Sequence, residues 1–146
     1  MEGDPQLKAR IRSLQRQAAS RRMMESVPKA TVIVTNPTHY AVALDWREGQ
    51  MRAPRIVAKG VGLIAQRIRE IGEEHCVPML EAPPLARALH AHGEIDAEIP
   101  QALYSAVAQV LAWVYQLRRS RDEGTPVPEA PEAFDVPIEL DPEHEK

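Results

Sequence analysis

The apolar positions change their spacing several times along the chain, and each change marks an element. From Gln6 to Met24, Leu7, Ile11, Leu14 and Ala18 recur at spacings of four, three and four with Lys and Arg between them, which predicts a helix. Asp4-Pro5 is a good entry to it. Its apolar stripe is narrow, so it is expected to lean on a partner or project from the body. Thr31 to Thr35 and Tyr40 to Trp46 are β-branched and apolar runs on either side of Asn36-Pro37-Thr38-His39, and predict two strands joined by a turn. A third strand is expected over Arg55–Lys59, after a turn at Arg47–Gln50. Val61 to Glu74 returns to helical spacing, with Val61, Ile64, Ala65, Ile68 and Ile71 on one face. Val77 to Leu80 predicts a short apolar strand, expected to be central. Pro84 to His90 predicts a short helix. A longer one follows Pro100, with Leu103, Val107, Val110, Leu111, Val114 and Leu117 on one side.

These elements predict an α/β fold: a small single domain with a central mixed sheet of about four strands flanked by helices, preceded by a long N-terminal connector helix. At 146 residues the chain is long enough to bury a core without metal or disulfides. Its single cysteine, Cys76, excludes an intrachain disulfide and is expected in the core beside the short strand. No apolar run approaches the roughly 20 residues a membrane-spanning helix needs.

Charge divides the chain more sharply than its net value of −3. Residues 1–29 carry seven Lys and Arg against three acids, and residues 122–146 carry nine acids against Lys146. The chain therefore divides into a basic connector helix at 1–29, an α/β body at 30–121 and an acidic, proline-rich tail at 122–146. With few large apolar groups, the tail is expected to be disordered.

Chemistry concentrates at Asn36-Pro37. The usual asparagine reaction begins with attack by the next backbone nitrogen, and proline has no N–H to supply it. What remains is attack by the Asn36 side-chain nitrogen on its own main-chain carbonyl, closing a five-membered imide and breaking the Asn36–Pro37 bond. An amide nitrogen is a poor nucleophile, so help is required. A tight turn positions it, a gain that reaches roughly 7–11 kcal/mol in well-oriented intramolecular reactions. His39 is near enough to manage protons and Thr38 to orient a partner. The same tetrapeptide is also an ordinary turn with a solvated histidine. Residue chemistry alone leaves both readings open.

The stretches VPKATVIVTNPTHYAVAL, APRIVAKGVGLIAQRIREIG, VPMLEAPPLARALH and EIPQALYSAVAQVLAWVYQLRR decide between them. Taken in order, they resemble the cytoplasmic domain of the type III export switch family, and the flagellar members more closely than those of virulence injectisomes. The resemblance implies a membrane part preceding Glu2 and a location at the cytoplasmic face of the bacterial inner membrane. It also implies single-turnover cleavage between Asn36 as nucleophile and Pro37, supported by Thr38 and His39. That event is a maturation step rather than protease turnover. The implied role is switching export from rod and hook proteins to filament proteins. The implied partners are other export-gate components, a hook-length control protein, and export substrates with their chaperones.

Other signals compete. Gly60-Val61-Gly62-Leu63-Ile64-Ala65, with Glu81 further on, fits a relaxed dinucleotide-binding pattern, yet the chain has too few strand–helix units for that fold. Glu81, Ala82, Pro83, Pro84 and Leu85 form either a docking site for export substrates or a connection stiffened by two prolines. A docking module that does not cleave is the alternative function. Arg10, Arg12, Arg16, Arg21 and Arg22 are spread round the first helix, and proximity to anionic lipid accounts for them as well as nucleic acid does. Arg118, Arg119 and Arg121 suit the end of the last helix. His75, His90 and His92 could suggest a metal, but His90 and His92, two apart on a helix, face different ways. No metal, cofactor or nucleic-acid partner is expected.

Overall fold

The computed structural model describes residues 3–37 and 39–143. Helix α1 (Pro5–Ser26) is capped by the Asp4 carboxylate, which accepts from the N–H groups of Gln6 and Leu7. Only Met23 on it is buried, while Leu7, Ile11 and Leu14 are exposed, so the narrow stripe belongs to a helix that projects from the body.

Strands β1 (Val32–Asn36), β2 (Tyr40–Asp45), β3 (Arg55–Val61) and β4 (Met79–Glu81) form one sheet in the order β3-β2-β1-β4. β1 pairs antiparallel with β2 and parallel with β4. The sheet is mixed, as expected. β4, however, is an edge strand rather than a central one. Its apolar residues serve opposite layers, with Leu80 in one core cluster and Met79 packed against the other, so its apolarity reflects contact on two faces.

Alternation divides β1 and β2 between those layers. Val32, Val34, Val42 and Leu44 face α3 (Pro83–His92) and α4 (Tyr104–Glu123), while Ile33, Ala41 and Ala43 face α2 (Gly62–Glu74). A register shift opposite Ala43 and Leu44 sends Ile56 and Ala58 of β3 to opposite layers and turns Lys59 toward α3. On the α2 side, Gly72 allows close packing: a Cβ there would stand 2.4 Å from Ile33 Cδ1 and 2.9 Å from Met79 Cε.

Three further expectations change. Val61 and Ile64 are exposed, and the buried face of α2 is Ala65, Ile68, Ile71 and Gly72: Val61 lies before the helix, which starts at Gly62, and Ile64 sits at the edge of that face over Gly60. Cys76 is exposed rather than in the core. It has φ +58 and closes α2: its N–H donates to Glu73 O, and the N–H of Val77 donates to Gly72 O. The left-handed residue that reverses the chain there carries its side chain outward. Finally, α4 runs to Glu123, and residues 125–143 lie against the α3–α4 layer, where Phe134, Val136 and Leu140 are partly buried. The charge and proline content that pointed to disorder did not register these three side chains.

Candidate functional site

The turn between β1 and β2 is closed by a hydrogen bond from the His39 backbone N–H to the Asn36 carbonyl oxygen, 3.0 Å. Asn36 ends β1, opposite Tyr40, and is half-buried; Pro37 and His39 are exposed. The His39 ring Nδ1–H donates to the Pro37 carbonyl at 3.3 Å. The expectation for Thr38 lies outside the described residues.

Both stems of the turn are held. Before it, Thr35 O accepts from the Ala82 N–H at 2.8 Å, tying β1 to the start of α3. After it, His39 O accepts from the Gly62 N–H at 3.1 Å, tying the turn to the start of α2. The Tyr40 ring packs against His90 of α3 with centroids 5.1 Å apart. Lys59 in turn closes the end of α3, its ammonium donating to His90 O at 2.9 Å and Gly93 O at 2.6 Å. Burial, and to a lesser degree the Lys59 charge, lower the His90 pKa below its ordinary value. Sequence reading missed Tyr40, Lys59 and His90 as supports, because residues from three separate strands and helices meet there.

The Gly60-Val61-Gly62 segment serves this anchoring. A Cβ on Gly60 would stand 2.2 Å from Ile64 Cγ2, and Gly62 has φ +55 and donates its N–H to His39. The glycines that resembled a phosphate-binding fingerprint thus have local steric and hydrogen-bonding reasons, and the neighbouring β2–β3 pair is antiparallel.

The Glu81–Leu85 stretch offers little surface. Ala82 and Leu85 are buried in the core, Pro83 is half-buried, and Glu81 and Pro84 face outward. A larger apolar surface lies elsewhere: an open groove of about 390 Å³ between the β2–β3 connection and α4, lined by Trp46, Ala53, Pro54, Tyr104, Leu111 and Tyr115 among others. Its residues come from segments far apart in sequence, so no local pattern announces it. Among the described residues, no group of three or more His, Cys, Asp or Glu side chains is placed to hold a metal. His90 packs on Tyr40, whereas His92 Nε2–H donates to Leu140 O. No described helix is long and apolar enough to cross a membrane.

The sequence pattern of the FlhB HrpN YscU SpaS family matches residues 1–114. The chain belongs to that family. It is 64% identical over 145 residues to the flagellar biosynthetic protein FlhB of Salmonella typhimurium, covering 99% of this chain and 38% of that one. The chain thus spans well under half the length of this curated relative. The crystal structure of the cytoplasmic domain of FlhB from Shewanella putrefaciens superposes with a TM-score of 0.76 at 43% identity, covering 87% of this chain and 98% of that one. A mutated EscU C-terminal domain matches with a TM-score of 0.59 at 30% identity, covering 62% of this chain and 90% of that one. The matched residues 1–114 take in both stems of the turn and the helices α2 and α3 that brace them.

Proposed function

We propose that this chain is the cytoplasmic part of a flagellar type III export component that cleaves itself once between Asn36 and Pro37. Cleavage prepares the export gate to change from rod and hook substrates to filament substrates. The observation that carries this reading is the His39 N–H on the Asn36 carbonyl, in a turn held at both stems. That carbonyl is the one the Asn36 side chain must attack. The donor polarises it and stabilises the oxyanion that forms on addition. In the step, Asn36 Nδ2 bonds to the Asn36 carbonyl carbon and the bond to the Pro37 nitrogen breaks. Nδ2 loses a proton, the Pro37 nitrogen gains one and leaves as a secondary amine, and solvent then protonates that amine. Asn36 is left as a C-terminal imide, which water then opens. The His39 ring, on the Pro37 side of the turn, is placed to help move the proton.

The two pieces stay together under this reading. β1 remains paired with β2 across Val32–Leu44 to Asn36–Tyr40 and with β4, and its side chains enter both core clusters. Cleavage therefore changes the loop surface without dismantling the fold. Residues 1–29 connect the body to a preceding membrane part at the cytoplasmic face of the inner membrane, with the exposed arginines of α1 near anionic headgroups. Partners on this reading are other export-gate components, a hook-length control protein, and export substrates with their chaperones.

Intact mass spectrometry of freshly purified protein beside Asn36→Ala tests the reading. A wild-type piece beginning at Pro37, absent from the variant, supports it. A single uncleaved wild-type mass after days at neutral pH defeats it.

A second reading, export-substrate docking, is favoured by the open apolar groove beside Tyr104 and Tyr115. Ala108→Asp in that groove should depress export of rod and hook proteins while leaving cleavage intact; unchanged export would remove the groove from consideration.

A further inference from the structure

Residues 125–133 cross the surface with no regular secondary structure, yet the segment after them makes specific contacts. Arg87 of α3 donates from both Nε and Nη2 to the two carboxylate oxygens of Asp141, each at 2.8 Å, and both side chains are largely buried, at 14% and 13% exposure. A bidentate pair of this kind is directional as well as attractive. Arg87 Nη1 also lies 3.5 Å from Glu143. Leu140 O accepts from His92, and the Asp135 N–H donates to Gln109 Oε1 of α4 at 3.3 Å. Between these polar ties, Phe134, Val136 and Leu140 pack on the core cluster that α3 and α4 share with the sheet.

We propose that the surface formed by α3 and α4 is a peptide-binding site whose occupant is the chain's own Phe134–Asp141 segment, acting as a releasable strap. The ligand pattern is an aromatic residue, an aliphatic one two positions on, and an aliphatic–aspartate pair four positions beyond that. Two features make the strap releasable. Its apolar contacts come from three partly buried side chains, with Ile138 exposed between them, so little surface offsets the cost of ordering the segment. The tether from Gly124 is also short, giving an effective local concentration in the millimolar range, so a weak intrinsic affinity suffices to keep the site filled.

Release takes away the carboxylate partner of Arg87 and uncovers its guanidinium. The site then favours an acidic peptide in place of the strap, since the forked guanidinium is geometrically matched to a carboxylate. The acidic character of residues 122–146 complements Arg87 in the same sense.

The full-length chain serves for the test, compared with Arg87→Ala, Asp141→Ala and the charge-swapped Arg87→Asp/Asp141→Arg. Hydrogen exchange should show the amides of residues 134–141 slowed at least about tenfold in the wild type, released in both single variants and slowed again in the swap. Unchanged protection in the sheet and α4 would show that the variants remain folded. A labelled synthetic peptide spanning residues 132–143 should bind Asp141→Ala at least about tenfold more tightly than wild type, because the tethered competitor is weakened. Free exchange across 134–141 in the wild type overturns the proposal. So does a peptide that binds neither protein, or both equally. Protection that grows with protein concentration means docking on a second copy and overturns the assignment to the chain's own segment.

Discussion

His39 and Asn36 are joined through the backbone, the N–H of His39 donating to the carbonyl of Asn36 at 3.0 Å. The catalytic contribution proposed for residue 39 therefore has two parts. Only one of them depends on the imidazole.

The first prediction separates those parts. His39→Ala keeps the backbone donor and loses the ring that donates to Pro37 O. Positioned general acid–base groups contribute about 10²–10⁴-fold, and this ring is exposed, so its loss should slow cleavage by about a hundredfold without abolishing it. Asn36→Ala removes the nucleophile and should leave the bond whole. A time course of intact mass at constant pH checks both. A His39→Ala variant as inert as Asn36→Ala would mean that the polarised carbonyl contributes little by itself.

A second prediction concerns Cys76, which occupies the left-handed position that closes α2. A non-glycine residue there costs about 1–2 kcal/mol, and the greater freedom of an unfolded glycine returns about 0.4–1 kcal/mol of that. Cys76→Gly should therefore stabilise the protein by about 0.5–1 kcal/mol in urea unfolding. Because the thiol is exposed, no core packing is lost with it. A destabilised variant would show that the side chain makes contacts worth more than the backbone strain.

The contrast between Cys76 and Gly124 shows how far the sequence could be read. Gly124 has φ +69 after α4 and advertises a helix end by its identity; Cys76 performs the same turn without announcing it. The strands flanking Asn36-Pro37 were legible because β1 and β2 are sandwiched between layers, so their apolar runs are nearly continuous. The rank of β4 in the sheet was not legible, since burial on two faces looks the same at an edge as in the middle. The turn tetrapeptide stood out as candidate chemistry. Its supports were not, because Lys59 reaches α3 only after a register shift turns it there. The groove between the β2–β3 connection and α4 escaped notice for a similar reason, as folding alone brings Trp46, Pro54 and Tyr115 together.

Gly60 supplies the third prediction. Gly60→Ala places a Cβ 2.2 Å from Ile64 Cγ2 and 3.3 Å from the Ala65 backbone nitrogen, so the first turn of α2 must move. Overpacking of this kind costs about 1–3 kcal/mol. The displacement should also disturb the Gly62 N–H that holds His39 O. The variant should accordingly unfold at lower urea and cleave more slowly. Normal cleavage in a destabilised variant would uncouple the β3–α2 junction from the turn.

The last prediction follows from His90, whose pKa is pushed below its ordinary value of 6.5, first by burial and then by the charge of Lys59. The ring also packs on Tyr40, and Arg87 lies one turn earlier on the same helix. A histidine with a lowered folded pKa binds a proton more readily in the unfolded chain. Its contribution to stability is therefore complete above pH 6.5 and is lost as the pH falls from there toward the folded value. His90→Gln should flatten this part of the stability profile, measured as the wild-type-minus-variant difference in urea unfolding at pH 7.5, 6.5 and 5.5. Lys59→Met should act in two ways. At neutral pH it removes charge-assisted bonds to His90 O and Gly93 O, at a cost of about 1.5–3 kcal/mol. It also lifts the repulsion that opposes protonation of His90, so the acid-side loss should become shallower than in the wild type. A Lys59→Met profile that runs parallel to wild type at every pH would mean that burial alone holds His90 neutral, leaving Lys59 as a helix cap with no electrostatic reach to the ring.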